Sequence, residues 1–242
     1  MRRARNAAFV LWIVAAGPLA AGLPDPAPLD AVLAARAKNG GFDYRGTDGQ
    51  DKKRLAACLA NLGDAQPATM SADERKAFYI NAYNVVAIET LLENPGKKIV
   101  DVDGAFKTAK HKIGGEMLTL DDIENKLREF KDARIHFAIV CASKSCPPLA
   151  PKAYRAQGLS ESLDRQGREF VNDASKNSID KAKGRIALSM IFNWNRKEFE
   201  RDAGSLQKCL AKYIADPATV SWLTSSGKEP EFLQYDWNPN QP

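Results

Sequence analysis

The chain has 242 residues, with 35 basic and 30 acidic side chains and a formal net charge of +5 at pH 7. This length suits one domain, which is large enough to bury its own core without help from disulfides. The small net charge and the interspersed Lys and Glu residues argue against a nucleic-acid-binding protein.

The N-terminus has the pattern of a cleaved secretory signal. Three arginines in the first five residues precede an apolar run over residues 7–16, and small residues follow at 20–22. The run is shorter than the ~20 residues that span a bilayer, so cleavage after Ala21 is predicted rather than an uncleaved membrane anchor. Cleavage removes three arginines and no acid, which leaves a net charge of +2. A periplasmic or secreted protein is predicted, with no membrane association after cleavage and with its four cysteines in an oxidising compartment.

Apolar periodicity predicts several helices after a lead-in over residues 22–41. The predicted helices are residues 29–38, 50–62, 71–94, 119–130, 160–174 and 205–215. The third has the clearest bounds, because Ser71 and Glu74 form a capping box and Pro95 and Gly96 follow its end.

Fewer segments have the pattern of strands. Residues 99–102 are predicted as a short strand, residues 134–141 as a central strand with two apolar faces, and residues 178–192 as a hairpin that turns near 181–184. Because the strands do not alternate regularly with helices, an α+β fold is predicted. In it, helices pack on a small, mostly antiparallel sheet within a single domain.

Two asparagines interrupt the apolar stripe of the predicted helix over residues 71–94. Asn81 and Asn84 lie three residues apart among Val85 and Ile88. Burying an amide without hydrogen-bond partners costs about 1–3 kcal/mol, so each is expected either to clamp a loop or to line a polar pocket.

Several motifs together resemble one family. They lie at residues 77–84, 120–124, 134–138, 141–143, 146–149, 191–194 and 235–237. In this order they are similar to the DUF547 family, a domain of unknown function, over residues 42–238. The resemblance implies no settled chemistry. Two positions depart from the family pattern: Asn125 stands where the family often has His, and Asn195 where it often has Tyr.

Residues 136–149 hold the most reactive side chains of the sequence. A cysteine nucleophile needs a lowered pKa, which a histidine or a helix N-terminus usually supplies. In a strand, His136 and Cys141 would point to opposite faces about 16 Å apart, whereas the loop that follows would let Cys146 fold back. Three alternatives remain open: a Cys141–Cys146 disulfide, a catalytic thiol, and two free structural cysteines.

His136 also has a plain structural interpretation. A lone histidine in a buried strand is commonly a neutral core residue, and Asn81, Asn84 and Glu124 are the polar groups expected nearby. Glu124 and His136 with a third ligand would make only a weak metal site, because the chain lacks the usual zinc spacings. No metal and no other cofactor is predicted.

Two functions follow from these residues. The first is a thiol-dependent hydrolase or transferase with papain-like logic, in which Cys141 or Cys146 attacks, His136 moves the proton, and Asn84 or Glu124 orients the imidazole. The second is a non-catalytic domain whose loop is pinned by a Cys141–Cys146 disulfide and which binds a ligand or a protein. The predicted ligand is a small molecule or a peptide. The candidate binding residues are Asn81, Tyr83, Arg128 and Trp194.

Overall fold

The computed structural model describes residues 23–242, and the signal predicted over residues 1–21 lies outside this part of the chain. Helices form most of the regular structure. The α-helices are α1 (Ala27–Arg36), α2 (Gly49–Asp64), α3 (Ala72–Glu93), α4 (Leu120–Arg128), α5 (Leu159–Val171), α6 (Met190–Trp194), α7 (Arg196–Ala203), α8 (Leu206–Ala211) and α9 (Pro217–Ser225). The strands are β1 (Ala37–Lys38), β2 (Gly41–Phe42), β3 (His111–Ile113), β4 (Glu116–Leu118), β5 (Ser178–Asp180), β6 (Arg185–Leu188) and β7 (Glu231–Phe232).

The strands form small sheets rather than one continuous sheet. β1 pairs with β2 and β3 pairs with β4, both antiparallel. β6 pairs antiparallel with β5 and parallel with the short β7. The α+β class is therefore confirmed, with small and mostly antiparallel sheets packed by helices.

Helix α3 organises the larger of two hydrophobic cores. It begins at the predicted capping box, where Ser71 and Glu74 each bond the other's backbone N–H. Its residues 77–88 are all buried, and it packs against α2 and α4. The helix is apolar on nearly every side because it runs through the core rather than along the surface.

A second core consists of stacked aromatic rings. Phe137 lies with its ring centroid 5.2 Å from that of Phe199, and Phe170 lies 5.6 Å from Phe192. A short 3₁₀ helix, Ala133–Phe137, runs between the two cores, with Ile135 in the first and Phe137 in the second. This placement fixes the neighbouring His136 at the boundary of the cores, where it is buried.

Two predicted strands are wrong. Residues 134–141 form the 3₁₀ helix and an irregular segment after it, because Asp132 accepts from the Arg134 N–H and opens a turn instead of a strand. Residues 99–102 begin with a 3₁₀ helix, Ile99–Asp101. The β3–β4 hairpin and helix α9 were not predicted. Among residues 23–242, no helix combines the length and hydropathy that crossing a bilayer requires.

Candidate functional site

A cavity of about 200 Å³ opens between α3, α4, the 3₁₀ helix and the segment that contains the two cysteines. Most of the residues predicted for the site line it. Those are Tyr83, Glu124, Arg128, His136, Cys141, Cys146 and Trp194. The cavity thus brings together groups from four separate parts of the sequence.

Asn81 and Asn84 do not line this cavity, because their amides clamp neighbouring backbone. Asn81 donates to the Tyr154 carbonyl at 2.9 Å and accepts from the Tyr154 N–H at 2.8 Å. Asn84 donates to the Ala138 carbonyl at 3.0 Å and accepts from the Val140 N–H at 2.8 Å. Both behave as loop clamps, and Asn84 supports the segment that leads into the cysteines. The predicted role of Asn84 in orienting His136 is wrong, because its amide is used on this backbone.

The segment 141–146, here called the Cys loop, is held from the opposite side by the C-terminal strap, residues 235–240. Lys144 donates its N–H to the Asn238 carbonyl at 2.8 Å, and Asn240 donates its N–H to the Ala142 carbonyl at 3.1 Å. Ala142 has a φ of +60°, a left-handed conformation that favours glycine. Backbone strain of this kind costs about 1–3 kcal/mol and persists only where the surroundings impose it. The strap therefore helps to impose the shape of the loop.

This arrangement gathers a backbone donor and two hydroxyl groups around the sulfur of Cys146. The Cys141 N–H donates to Cys146 Sγ at 2.9 Å, Tyr235 Oη lies 3.3 Å from it, and Ser143 Oγ lies 3.4 Å from it. Cys141 Sγ lies 3.2 Å from both Ser143 Oγ and Tyr235 Oη. Two sulfurs and two hydroxyls thus form one partly buried cluster.

The cluster shifts the pKa values of the two thiols in opposite directions. Burial would raise the pKa of Cys146, but the hydrogen bonds from Cys141, Ser143 and Tyr235 hold that pKa below the ordinary cysteine range. The hydrogen bond to Cys146, together with burial, raises the pKa of Cys141 well above that range. The hydrogen bonds therefore favour ionisation of Cys146 over ionisation of Cys141.

No disulfide is present in the described part of the chain, where Cys58, Cys141, Cys146 and Cys209 are all free. The Cys141–Cys146 bridge of the second hypothesis is therefore not formed. The loop is fixed instead by Asn84 and by the C-terminal strap, so it needs no covalent link.

His136 forms the opposite polar wall of the cavity together with two glutamates. Its Nε2 lies 3.0 Å from Glu198 Oε2, and its Nδ1 lies 3.9 Å from Glu124 Oε1. Burial, followed by the charge of Arg128, lowers the pKa of His136 to about 3. Glu198 alone would favour an imidazolium, but Arg128 already balances its charge, so burial decides and the imidazole is neutral.

Arg128 connects the groups of this wall. It pairs with Glu124 and with Glu198, and it donates to Asn195 Oδ1 at 2.8 Å. One guanidinium thus serves two carboxylates, and the wall carries a net negative charge when His136 is neutral. Asn195, a position where the sequence departs from the family pattern, helps to hold this guanidinium.

Aromatic rings form the rim of the cavity. The ring centroid of Tyr235 lies 4.5 Å from that of Trp237 and 4.8 Å from that of Trp194. Trp194 is 48% exposed, an unusual exposure for so large an apolar side chain. Its open surface is available for stacking against a ligand that enters the cavity.

The predicted pairing of His136 with a cysteine is absent, since no hydrogen bond joins them within residues 23–242. His136 turns toward Glu198 instead, and the strand that would have placed His136 and Cys141 on opposite faces is not formed. Sequence reasoning also missed Glu198, Ser143 and Tyr235 as site residues. No sequence pattern distinguishes Glu198 from the other acidic residues of the polar helix α7. Ser143 and Tyr235 belong to two of the family motifs, but the sequence alone assigns them no role.

Residues 23–242 contain no cluster of three or more His, Cys, Asp or Glu side chains arranged to hold a metal ion.

Comparison with known proteins gives one family match. Residues 67–171 match the family model described as "Protein of unknown function, DUF547". No curated protein and no solved structure is similar enough to the chain to count as a match. The matched range contains Asn84, Glu124, Arg128, His136 and the Cys loop, and it ends before the motifs at 191–194 and 235–237. The chain is therefore similar to the DUF547 family over residues 67–171.

Proposed function

We propose that the protein is a thiol-dependent acyl hydrolase or acyl transferase whose nucleophile is the Cys146 thiolate. The observation that carries the proposal is that a backbone N–H and two hydroxyl groups surround Cys146 Sγ at the wall of a cavity. A thiolate, not a thiol, is the nucleophile in such chemistry, and donors that lower its pKa populate it at neutral pH.

In the proposed reaction the two cysteines act as a pair. The Cys146 thiolate attacks the acyl carbon of the substrate and forms a thioester, while the Cys141 thiol gives its proton to the departing alcohol, amine or thiol. The resulting Cys141 thiolate then takes a proton from water, or from an acceptor alcohol or amine. The deprotonated acceptor attacks the thioester and releases the Cys146 thiolate. The net change is transfer of the acyl group to the acceptor.

His136 has a different role here from the one expected of a papain-like histidine. Its Nε2 is engaged by Glu198, and its Nδ1 lies beyond hydrogen-bond distance of Glu124 at 3.9 Å. The neutral imidazole and Arg128 therefore bind polar atoms of the substrate at the wall opposite the sulfurs. Asn84 acts as a positioning residue, because it holds the backbone that leads into the Cys loop.

The dimensions of the cavity restrict the substrate. Its volume of about 200 Å³ lies below the ~300–1,000 Å³ typical of sites that enclose a whole drug-sized ligand. A small acyl group, or one side chain of a peptide, fits it, and the rest of the substrate lies against Trp194 at the rim. We also propose, from residues 1–22 alone, that the protein is exported to the periplasm or secreted.

The nucleophile can be tested without knowledge of the natural substrate. p-Nitrophenyl acetate is an activated ester that acylates reactive thiolates whatever acyl group they normally accept. We expect intact-mass analysis to find one acetyl group on the wild type and on the control Cys58→Ala, and none on Cys146→Ala, with circular dichroism confirming that each variant is folded. Equal labelling of Cys146→Ala would refute the assignment. A wild type that neither retains an acetyl group nor releases p-nitrophenol faster than Cys146→Ala would instead favour the non-catalytic binding domain.

A further inference from the structure

A larger cavity, of about 320 Å³, lies beside the end of the C-terminal strap and is distinct from the cavity at the Cys loop. Its apolar surface comes from Leu91, Leu92, Pro95 and Pro239. Leu92 lies near the C-terminal end of α3 and is only half-buried, although most of that helix is covered by other parts of the fold. The volume lies at the lower end of the range for small-molecule sites.

Three cations surround this apolar surface. Arg45, Lys52 and Lys97 all line the cavity, and no Asp or Glu does. Within residues 23–242, none of the three forms an ion pair. The charge of Lys52 does act on Glu89, but from beyond ion-pair distance.

The cavity is also well fixed on one side. Tyr44 lies in its wall and donates its hydroxyl to Asn240 Oδ1 at 2.9 Å, and Gln241 in the same wall accepts from the Arg45 N–H at 3.3 Å. These bonds join residues 44–45, in the N-terminal part of the domain, to residues 240–241. They hold the wall in place before any ligand arrives.

We propose that this cavity binds an anionic amphiphile, that is, an apolar chain or ring that ends in one carboxylate, sulfate or phosphate group. The apolar surface buries the hydrocarbon part, and the three cations select the sign of the charged end. At ~30 Å³ for each water-sized group, the cavity accommodates roughly ten non-hydrogen atoms. This site is independent of the proposed acyl chemistry at Cys146.

Isothermal titration calorimetry of the whole protein with octanoate tests the proposal, since octanoate has an eight-carbon chain and one carboxylate. We expect octanoate to bind at least about tenfold more tightly than octylammonium, 1-octanol or inorganic phosphate, which each lack one of the two features. Added salt should weaken octanoate binding, because the cations are exposed.

Matched charge reversals locate the site. Lys52→Glu combined with Lys97→Glu should weaken octanoate binding by at least about tenfold. The control Lys53→Glu combined with Lys98→Glu changes the adjacent exposed lysines, which do not line the cavity, and should alter the affinity by less than about twofold. Absence of octanoate binding at millimolar concentration would overturn the proposal. So would equal binding of 1-octanol or octylammonium, or equal effects of the two double variants.

Discussion

The Asn84 clamp gives the most direct test of how the fold supports the site. Asn84→Ala removes both hydrogen bonds of the amide, and it leaves the Ala138 carbonyl and the Val140 N–H buried without their partner. Each orphaned group costs about 1–3 kcal/mol, so the sum is about 2–6 kcal/mol. We expect the lower part of that range, about 2–4 kcal/mol, because a water molecule entering the vacated space would satisfy part of the loss.

Urea denaturation followed by tryptophan fluorescence measures this loss, and thermal unfolding provides a second readout. For a protein of this size, the predicted loss corresponds to a decrease in Tm of about 4–16 °C. The control is Asn61→Ala on the exposed face of α2, where the asparagine makes no clamp and the free energy of unfolding should change by less than about 0.5 kcal/mol. A change for Asn84→Ala as small as that of the control would refute the clamp.

Three further outcomes are expected. Asn81→Ala should also destabilise the protein by about 2–4 kcal/mol in urea. It should leave the rate of Cys146 alkylation unchanged, because Asn81 clamps Tyr154 rather than the Cys loop. Tyr235→Phe removes a donor 3.3 Å from Cys146 and should raise the pH midpoint of Cys146 alkylation. A hydrogen bond to a charged group contributes about 1.5–3 kcal/mol, which corresponds to a shift of the midpoint by about 1–2 pH units. An unchanged midpoint would show that Tyr235 does not lower the pKa of Cys146. Folding lowers the pKa of His136 from 6.5 to about 3. Between about pH 3 and pH 6.5, His136 is therefore protonated in the unfolded chain and neutral in the folded chain. The free energy of unfolding should therefore fall on acidification by up to about 1.4 kcal/mol per pH unit, and less steeply in His136→Gln; parallel slopes would contradict a buried neutral imidazole.

The parts of the fold that follow local rules could be predicted from the sequence. Helix α3 begins at the capping box of Ser71 because two side chains there satisfy backbone groups within four residues. The β5–β6 hairpin turns where expected, close to Gly184, which adopts a positive φ of 62°. Such features depend on neighbours in sequence, so periodicity and capping residues reveal them.

The conformation of residues 134–141, which lead into the Cys loop, depends instead on residues distant in sequence. Residues 134–141 alternate like a strand, yet their backbone groups are satisfied by a distant side chain, Asn84, and by local turns. The apolar residues on both faces are buried because the segment runs between two cores, not because strands flank it. Alternation alone cannot distinguish these two causes.

The candidate site likewise has residues that the sequence predicts and residues that it does not. Seven of the predicted residues line one cavity, because the motifs that contain them pack around α3 and α4. The partner of His136 could not be foreseen, since Glu198 is one of several acids in an exposed-looking helix, 62 residues away in sequence. The donors to Cys146 include Tyr235, which comes from the C-terminal strap, 89 residues after the sulfur that it contacts.

The central claim, that Cys146 is a hydrogen-bonded thiolate, is tested most directly by iodoacetamide alkylation as a function of pH, with each cysteine followed by peptide mass spectrometry. Cys58 and Cys209 serve as internal controls, because burial raises the pKa of each to about 11. The account predicts that Cys146 is alkylated first, at a pH well below the ~8.5 of an ordinary cysteine, without any added reductant. If Cys146 reacts only at or above that pH, no earlier than Cys58 and Cys209, or only after reduction, the account is contradicted.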